Sequence, residues 1–203
     1  LAIAPIWLRD RFLQLIKRET DFSKAGKKAF IRAKMNSLCD AGIIEALYEA
    51  SAAGVKIELI VRGICCLRVG IPGISENISV RSLVGDFLEH TRIFHFYNNG
   101  FEEIYLGSAD WMPRNLDKRV EILFPVEDET LKKEITHVLD IQLADNLKAR
   151  ELQPNGSYRK VKRGSQPKLN AQNYFCKQAV ATNARRKEDQ DNKRVFEPLH
   201  SSF

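Results

Sequence analysis

The sequence predicts an α/β fold, a mixed sheet of about five or six strands flanked by three main helices. Three observations carry this. Segments of helical and strand period alternate through residues 1–152. A helix-like run ends in a glycine link, Ala53-Gly54-Val55, that feeds straight into the apolar strand Lys56-Ile57-Glu58-Leu59-Ile60-Val61. Asn98-Asn99-Gly100 lies between two strand-like runs and signals a hairpin, because Asn and Gly tolerate positive φ.

Taken in order, Leu8, Phe12, Leu15 and Ile16 recur at helical spacing and a strand is expected at 29–34. Ile43, Ile44, Leu47 and Tyr48 mark a second helix, with Asp40 as its N-cap and Gly54 just past its end. The strand at 56–61 turns wholly apolar and should be central. Further strands are expected at 79–83, 92–97, 103–106 and 119–124, the last closed by Pro125. Asp128 and Glu129 favour the start of a long helix, whose apolar side is Leu131, Ile135, Val138, Leu139, Ile141 and Leu143. Past Leu152 the pattern fails. Pro154-Asn155-Gly156-Ser157, a basic cluster at 159–163 and Gly164-Ser165-Gln166-Pro167 read as an irregular extension. A short helix near 169–182, docked by Tyr174 and Phe175, and a polar, mobile end at 183–203 complete the chain. The expected division is therefore a domain at 1–163 and a basic, partly helical or mobile tail at 164–203.

Composition narrows the class. With 203 residues, 44% hydrophobic and 29% charged, the chain can bury a core and is neither disordered nor fibrous. No apolar run approaches the ~18 residues of a membrane span, and no basic-then-apolar leader opens the chain. Cys39, Cys65, Cys66 and Cys176 lack metal spacing and read as buried thiols in a reducing compartment, the cytoplasm by default. The net charge of +6 is uneven: residues 153–203 hold eleven Lys or Arg against four Asp or Glu, leaving 21 basic and 22 acidic residues in 1–152. The positive balance belongs to the tail.

Three segments carry more polarity than a scaffold needs. Arg62 stands where a buried strand ends and a glycine-punctuated loop, Gly63 to Gly73, begins; ligands of open α/β sheets bind at that carboxyl edge. Its planar fork suits phosphate oxygens, although an Arg leaving the core to pair with a carboxylate would look the same. His90-x-Arg92 precedes a strand, and alternation would place both side chains on one face. That pair suits a phosphate, whereas His95 and Tyr97 read as structural. In Gly107-Ser108-Ala109-Asp110-Trp111-Met112-Pro113-Arg114-Asn115, small residues at a strand end would let backbone approach an anion, and Glu121 follows on the return strand. A decorated loop anchored by Trp111 is the plainer reading of that run.

A histidine with a basic residue two positions on, a Gly-Ser-x-(Asn/Asp) turn and a strand Glu together resemble the phospholipase D-like phosphotransfer fold. That resemblance implies two similar halves, each giving one histidine to a shared site. Arg92 stands where Lys is usual and Tyr97 where the acidic residue of the diesterase motif would fall. With those departures the chain resembles the C-terminal catalytic half of bacterial polyphosphate kinases. The runs carrying this are Lys34-Met35-Asn36-Ser37-Leu38, residues 53–67, and Gly107-Ser108-Ala109-Asp110-Trp111-Met112-Pro113-Arg114-Asn115-Leu116-Asp117, with the likeness covering residues 1–163. Ser79 stands where many relatives carry a basic residue.

The resemblance implies reversible transfer of the terminal phosphate of ATP to inorganic polyphosphate through a phosphohistidine on a domain outside this chain. It implies ATP contacts at Arg62 and His90, with His90 also handling protons. Arg68, Arg92 and Arg114 become candidates to guide a polyanion, and Glu121 to orient His90. It further implies Mg2+ whose ligands lie outside this chain, partnership with the remaining domains of one enzyme, a homo-oligomer, and a cytoplasmic location, with membrane-associated complexes as a variant of it. No metal ligands and no nucleic-acid partner are expected here, and the chain alone should be inactive. Two rivals remain: half of a phospholipase D-like phosphodiesterase, and a non-enzymatic polyanion binder using Tyr158, Tyr174 and Phe175 in the basic tail.

Overall fold

The computed structural model describes residues 1–191, and nine strands form one mixed sheet within it. The strands are β1 (Ala2–Ala4), β2 (Phe30–Met35), β3 (Lys56–Val61), β4 (Ile78–Ser82), β5 (Arg92–Phe96), β6 (Glu103–Gly107), β7 (Glu121–Val126), β8 (Arg150–Leu152) and β9 (Tyr158–Lys160). Five helices accompany them: α1 (Leu8–Lys24), α2 (Ala41–Ala52), α3 (Pro113–Asp117), α4 (Glu129–Ala144) and α5 (Ala171–Asp191). The spatial order is β1-β7-β6-β5-β2-β3-β4-β8-β9. β2, β3 and β4 run parallel, and every other pairing is antiparallel.

Alternation sends each strand's side chains to two different layers. Ile31, Ala33 and Met35 of β2, with Ile57, Leu59 and Val61 of β3, join Leu8, Phe12 and Leu15 of α1 and Ile43 and Leu47 of α2. On the other face Ile60, Ile93, Ile104 and Val126 meet Leu139 of α4, with Phe175 of α5 packed against them. The caps follow the sequence: Asp40 accepts from the Ile43 amide, and Asp128 from the amides of Thr130 and Leu131. At the hairpin Asn98, Asn99 and Gly100 all have positive φ, of 48°, 52° and 95°.

The mixed α/β class holds, but five or six strands becomes nine. β1, β8 and β9 have three residues each, too short for a period of two to register. Of the stretch after Leu152 expected to be irregular, Tyr158–Lys160 form β9, which pairs with β8 in a hairpin around Gly156, whereas residues 161–167 carry neither helix nor strand. Pro125 does not close its strand. It lies within β7 opposite Tyr105, beyond the reach of β1, which ends its pairing at Leu123. From there β7 is an edge, where a proline is tolerated. α5 runs nine residues past the expected end at 182. Of the mobile end expected at 183–203, residues 192–203 lie outside the described residues. The thiols are also less buried than expected, since Cys66 and Cys176 are exposed and Cys39 and Cys65 half-buried.

Candidate functional site

Strand direction gathers the polar segments at one end of the sheet. β2 and β3 end there, and antiparallel β5 begins there, with Lys34 opposite Ile93. β6 ends there, with Gly107 opposite Arg92, and β7 returns from it. The turns after β2, β3 and β6 then lie side by side, because Leu38 bridges both Cys65 and Trp111. Trp111 is fully buried, stacked on Phe94 at 5.3 Å and edge-on to Phe12 at 5.4 Å. Its carbonyl accepts from the amides of Cys39 and Asp40, so it is the anchor of the loop. Gly107 permits the close return of the chain, since a Cβ there would lie 2.7 Å from the Ile122 carbonyl oxygen.

A buried hub ties the cations together. Asp110 accepts from the Asn36 amide at 2.8 Å and from Arg92 Nε and Nη2 at 3.1 and 3.2 Å. Asn36 Oδ1 in turn accepts from Arg62 Nε at 2.9 Å. Arg62 thus spends one inward donor on the protein, and its two Nη groups have no hydrogen-bond partner among the described residues. A guanidinium fixed at one edge and open at the other is a ready anion fork. Its strand-end backbone is held by Ser82 Oγ, which donates to the Arg62 carbonyl at 3.0 Å.

His90 is exposed, in the loop before β5 rather than on the strand, so alternation does not govern its direction. It is placed through its backbone, because Arg92 Nη1 donates to the His90 carbonyl at 2.8 Å. Arg62, His90 and Arg92 therefore belong to one connected assembly. Glu121 sits at the same sheet end, but its oxygens accept from Ser108 Oγ and from Asn115 Nδ2, and among the described residues it makes no hydrogen bond to His90. Arg68 and Arg114 are exposed on the flanking loop and on α3. The Arg68 amide donates to Tyr48 Oη at 2.8 Å, and neither side chain is bonded into the assembly.

Four residues of the assembly receive no role from the sequence, Lys34, Asn36, Glu89 and Asp110, although Lys34, Asn36 and Asp110 lie in the runs that carry the resemblance. Lys34 is 2% exposed, and its ammonium donates to Thr91 Oγ1 at 2.7 Å and lies 3.2 Å from Glu89. Burial pushes its pKa down, Glu89 opposes that, and Arg92 and Arg62 add to it. A lysine between the apolar residues Ala33 and Met35 near the end of β2 was the available signal. The carboxylates here are all engaged by cations or amides, and the described residues offer no cluster of three or more His, Cys, Asp or Glu able to hold a metal.

A concavity of about 650 Å3 lies between the β5–β6 turn and α4, with Phe101, Glu102, Lys133 and His137 among its walls. None of the predicted phosphate residues lines it. There His95 is buried with Nε2 2.7 Å from Glu102, as a structural residue.

The sheet is similar to that of the phospholipase D-like fold. Nuc, a phospholipase D family member from Salmonella typhimurium, superposes with a TM-score of 0.55 at 16% identity, covering 75% of this chain and 95% of that one. Polyphosphate kinase from Porphyromonas gingivalis superposes with a TM-score of 0.83 at 41% identity, covering 93% of this chain and 28% of that one. The family described as polyphosphate kinase C-terminal domain 2 matches residues 1–172. The polyphosphate kinase of Thermosynechococcus vestitus is 57% identical over 159 residues, which is 78% of this chain and 22% of that protein. The chain belongs to the polyphosphate kinase family and corresponds to its second C-terminal domain. It spans about a quarter of the length of the relatives it matches. No helix among the described residues is long and apolar enough to cross a membrane.

Proposed function

We propose that this chain supplies the ATP-facing phosphate site of an enzyme that moves the terminal phosphate of ATP reversibly onto inorganic polyphosphate. The observation that carries the proposal is the Arg62–Asn36–Asp110–Arg92 chain, which fixes one guanidinium with its outer donors open and, through Arg92, also holds the His90 carbonyl.

Phosphoryl transfer asks the protein mainly for positioning and charge stabilisation. Arg62 would neutralise nonbridging oxygens as charge shifts toward the leaving group. His90, exposed and held by its backbone, would hydrogen-bond or protonate the leaving ADP oxygen and reverse that step for ATP synthesis. The phosphorylated histidine is placed on a segment outside this chain, so the chain alone should make no polymer. Mg2+ is likewise assigned to ligands outside this chain. Arg68 and Arg114, exposed at the rim, are proposed to guide the polyanion, a task for several scattered cations. Arg92 is committed to Asp110 and serves the site by shaping it. Glu121 would act on the Ser108 turn.

The test is ATP-dependent polyphosphate synthesis by the full-length protein, comparing wild type with Arg62→Ala and His90→Ala. Loss of polymer in both, with unchanged circular dichroism, is expected. Full activity in both, or cleavage of a chromogenic phosphodiester without ATP, would reject the proposal.

A further inference from the structure

The loop that carries His90 exposes Val84, Phe87 and Leu88 at 62%, 63% and 68%. A loop that buries so little apolar surface has no core of its own to hold it. Polar contacts from the C-terminal helix do so instead. Gln172, in the first turn of α5, is 6% exposed. Its Oε1 accepts from the amides of Asp86 and Phe87 at 2.7 and 3.0 Å. Its Nε2 donates to the Phe87 carbonyl at 2.8 Å and to Glu89 Oε1 at 2.9 Å. Both donors and both acceptor positions of the amide are thereby used.

The fit is close. Residue 85 is glycine, and a Cβ there would lie 2.2 Å from Gln172 Oε1. The start of α5 is itself pinned, since buried Asp145 accepts from the Ala171 amide at 2.8 Å. On the other side of the loop, Glu89 Oε2 accepts from Gln142 Nε2 at 2.8 Å and faces the Lys34 ammonium at 3.2 Å. Lys34 also bonds Thr91. His90 is therefore bracketed by two residues that are each tied down, Glu89 through Gln172 and Gln142, and Thr91 through Lys34.

We infer that Gln172 is a positioning residue for transfer, and that α5 completes the site by clamping the His90 loop. The inference rests on the assignment of His90 to the phosphate site. Gln172→Leu keeps the size of the side chain and removes all four bonds. Gln172→Glu keeps the shape and the two acceptor roles but sets a second carboxylate against Glu89.

Both variants are made in the full-length protein, beside His90→Ala. In Gln172→Leu, amide hydrogen exchange at Asp86 and Phe87 should quicken about tenfold or more, while β2 and β3 stay protected. Its kcat for polymer synthesis should fall about tenfold to a hundredfold, with a smaller change in KM for ATP. In Gln172→Glu, a proton shared with Glu89 restores the lost donor. Its kcat relative to wild type should therefore rise as pH falls from 8 to 6. Gln172→Glu carries both readouts if Gln172→Leu does not fold. Unchanged loop exchange overturns the inference, and so does a loosened loop with wild-type kcat. Full activity in His90→Ala rejects the phosphate site itself. Inactive His90→Ala beside fully active Gln172 variants rejects only the clamp.

Discussion

Asp110→Asn is the sharpest probe of the hub. Asp110 and Arg92 have side-chain exposures of 8% and 12%, so their bidentate pair is mostly dry. The same carboxylate accepts from the Asn36 amide at 2.8 Å. An asparagine offers one acceptor oxygen for two claimants, and its NH2 turns a donor toward another donor. Removing one partner of a buried pair costs about 3–5 kcal/mol. Because one oxygen survives and Arg92 keeps the His90 carbonyl, about 2–4 kcal/mol is the expected loss here. For a chain of this size that is a fall in Tm of roughly 4–16 °C. Thermal and urea unfolding of the purified chain would measure it. A cycle with Arg92→Met should return a coupling of about 1–3 kcal/mol between the two positions. A single-variant loss below about 0.5 kcal/mol, or a coupling near zero, would refute the picture of Asp110 as the keystone of the cation assembly.

Asp40 is 3% exposed and both caps α2 through the Ile43 amide and binds Arg9 Nη2 at 2.8 Å. Asp40→Ala should cost about 2–3 kcal/mol and Asp40→Asn distinctly less, since the amide oxygen still caps; equal losses by urea melts would count against the cap. Burial pushes the Cys65 thiol, and with neighbouring Cys66 the Cys39 thiol, up to about 11. Iodoacetamide at pH 7.5 should therefore label exposed Cys66 and Cys176 first, and peptide mapping that finds Cys65 as fast would contradict this. Burial also pushes the His95 pKa down, against the opposing pull of Glu102. The folded state then binds fewer protons than the unfolded chain below pH ~6.5, so stability present above that pH is lost as pH falls toward the depressed folded pKa. Urea midpoints from pH 8 to 5 should decline less steeply in His95→Phe than in wild type, and parallel declines would remove His95 from the acid response.

What the sequence made legible is what repeats over several residues. Four turns of α4, the apolar run of β3 behind its glycine link, the caps at Asp40 and Asp128 and the Asn98–Gly100 turn all have local causes. β1, β8 and β9 have none: they are strands because a partner edge is present, and three residues cannot announce that. The site divides the same way. Arg62, His90 and Arg92 were legible as polar residues beside strand ends. Asp110 was legible as the acidic residue of the Gly-Ser turn but its role was not, because that role is acceptance from Asn36 and Arg92, 74 and 18 positions away. Gln172 was further from reach, since an amide in a tail helix becomes informative only when its four partners across the fold are known.

The arrangement explains how a dense group of cations is held together at one end of the sheet. Lys34, Arg62 and Arg92 lie close enough for the two arginines to depress the lysine pKa, a repulsion that would open an uncompensated site. Glu89 and Asp110 sit between them, so most of that charge is balanced inside the protein. What remains outward is the open edge of the Arg62 guanidinium and the exposed His90. Under the proposed function, a phosphate arriving there would meet donors that need little rearrangement, which is the condition for stabilising charge that develops only during transfer. The compensation has a structural price in the distance it spans. Glu89 holds its place through Gln142 of α4 and Gln172 of α5, so the electrostatics of one sheet end are set by two helices on the opposite face from α1 and α2. That dependence ties the C-terminal helix, unpromising as a sequence, to the proposed site.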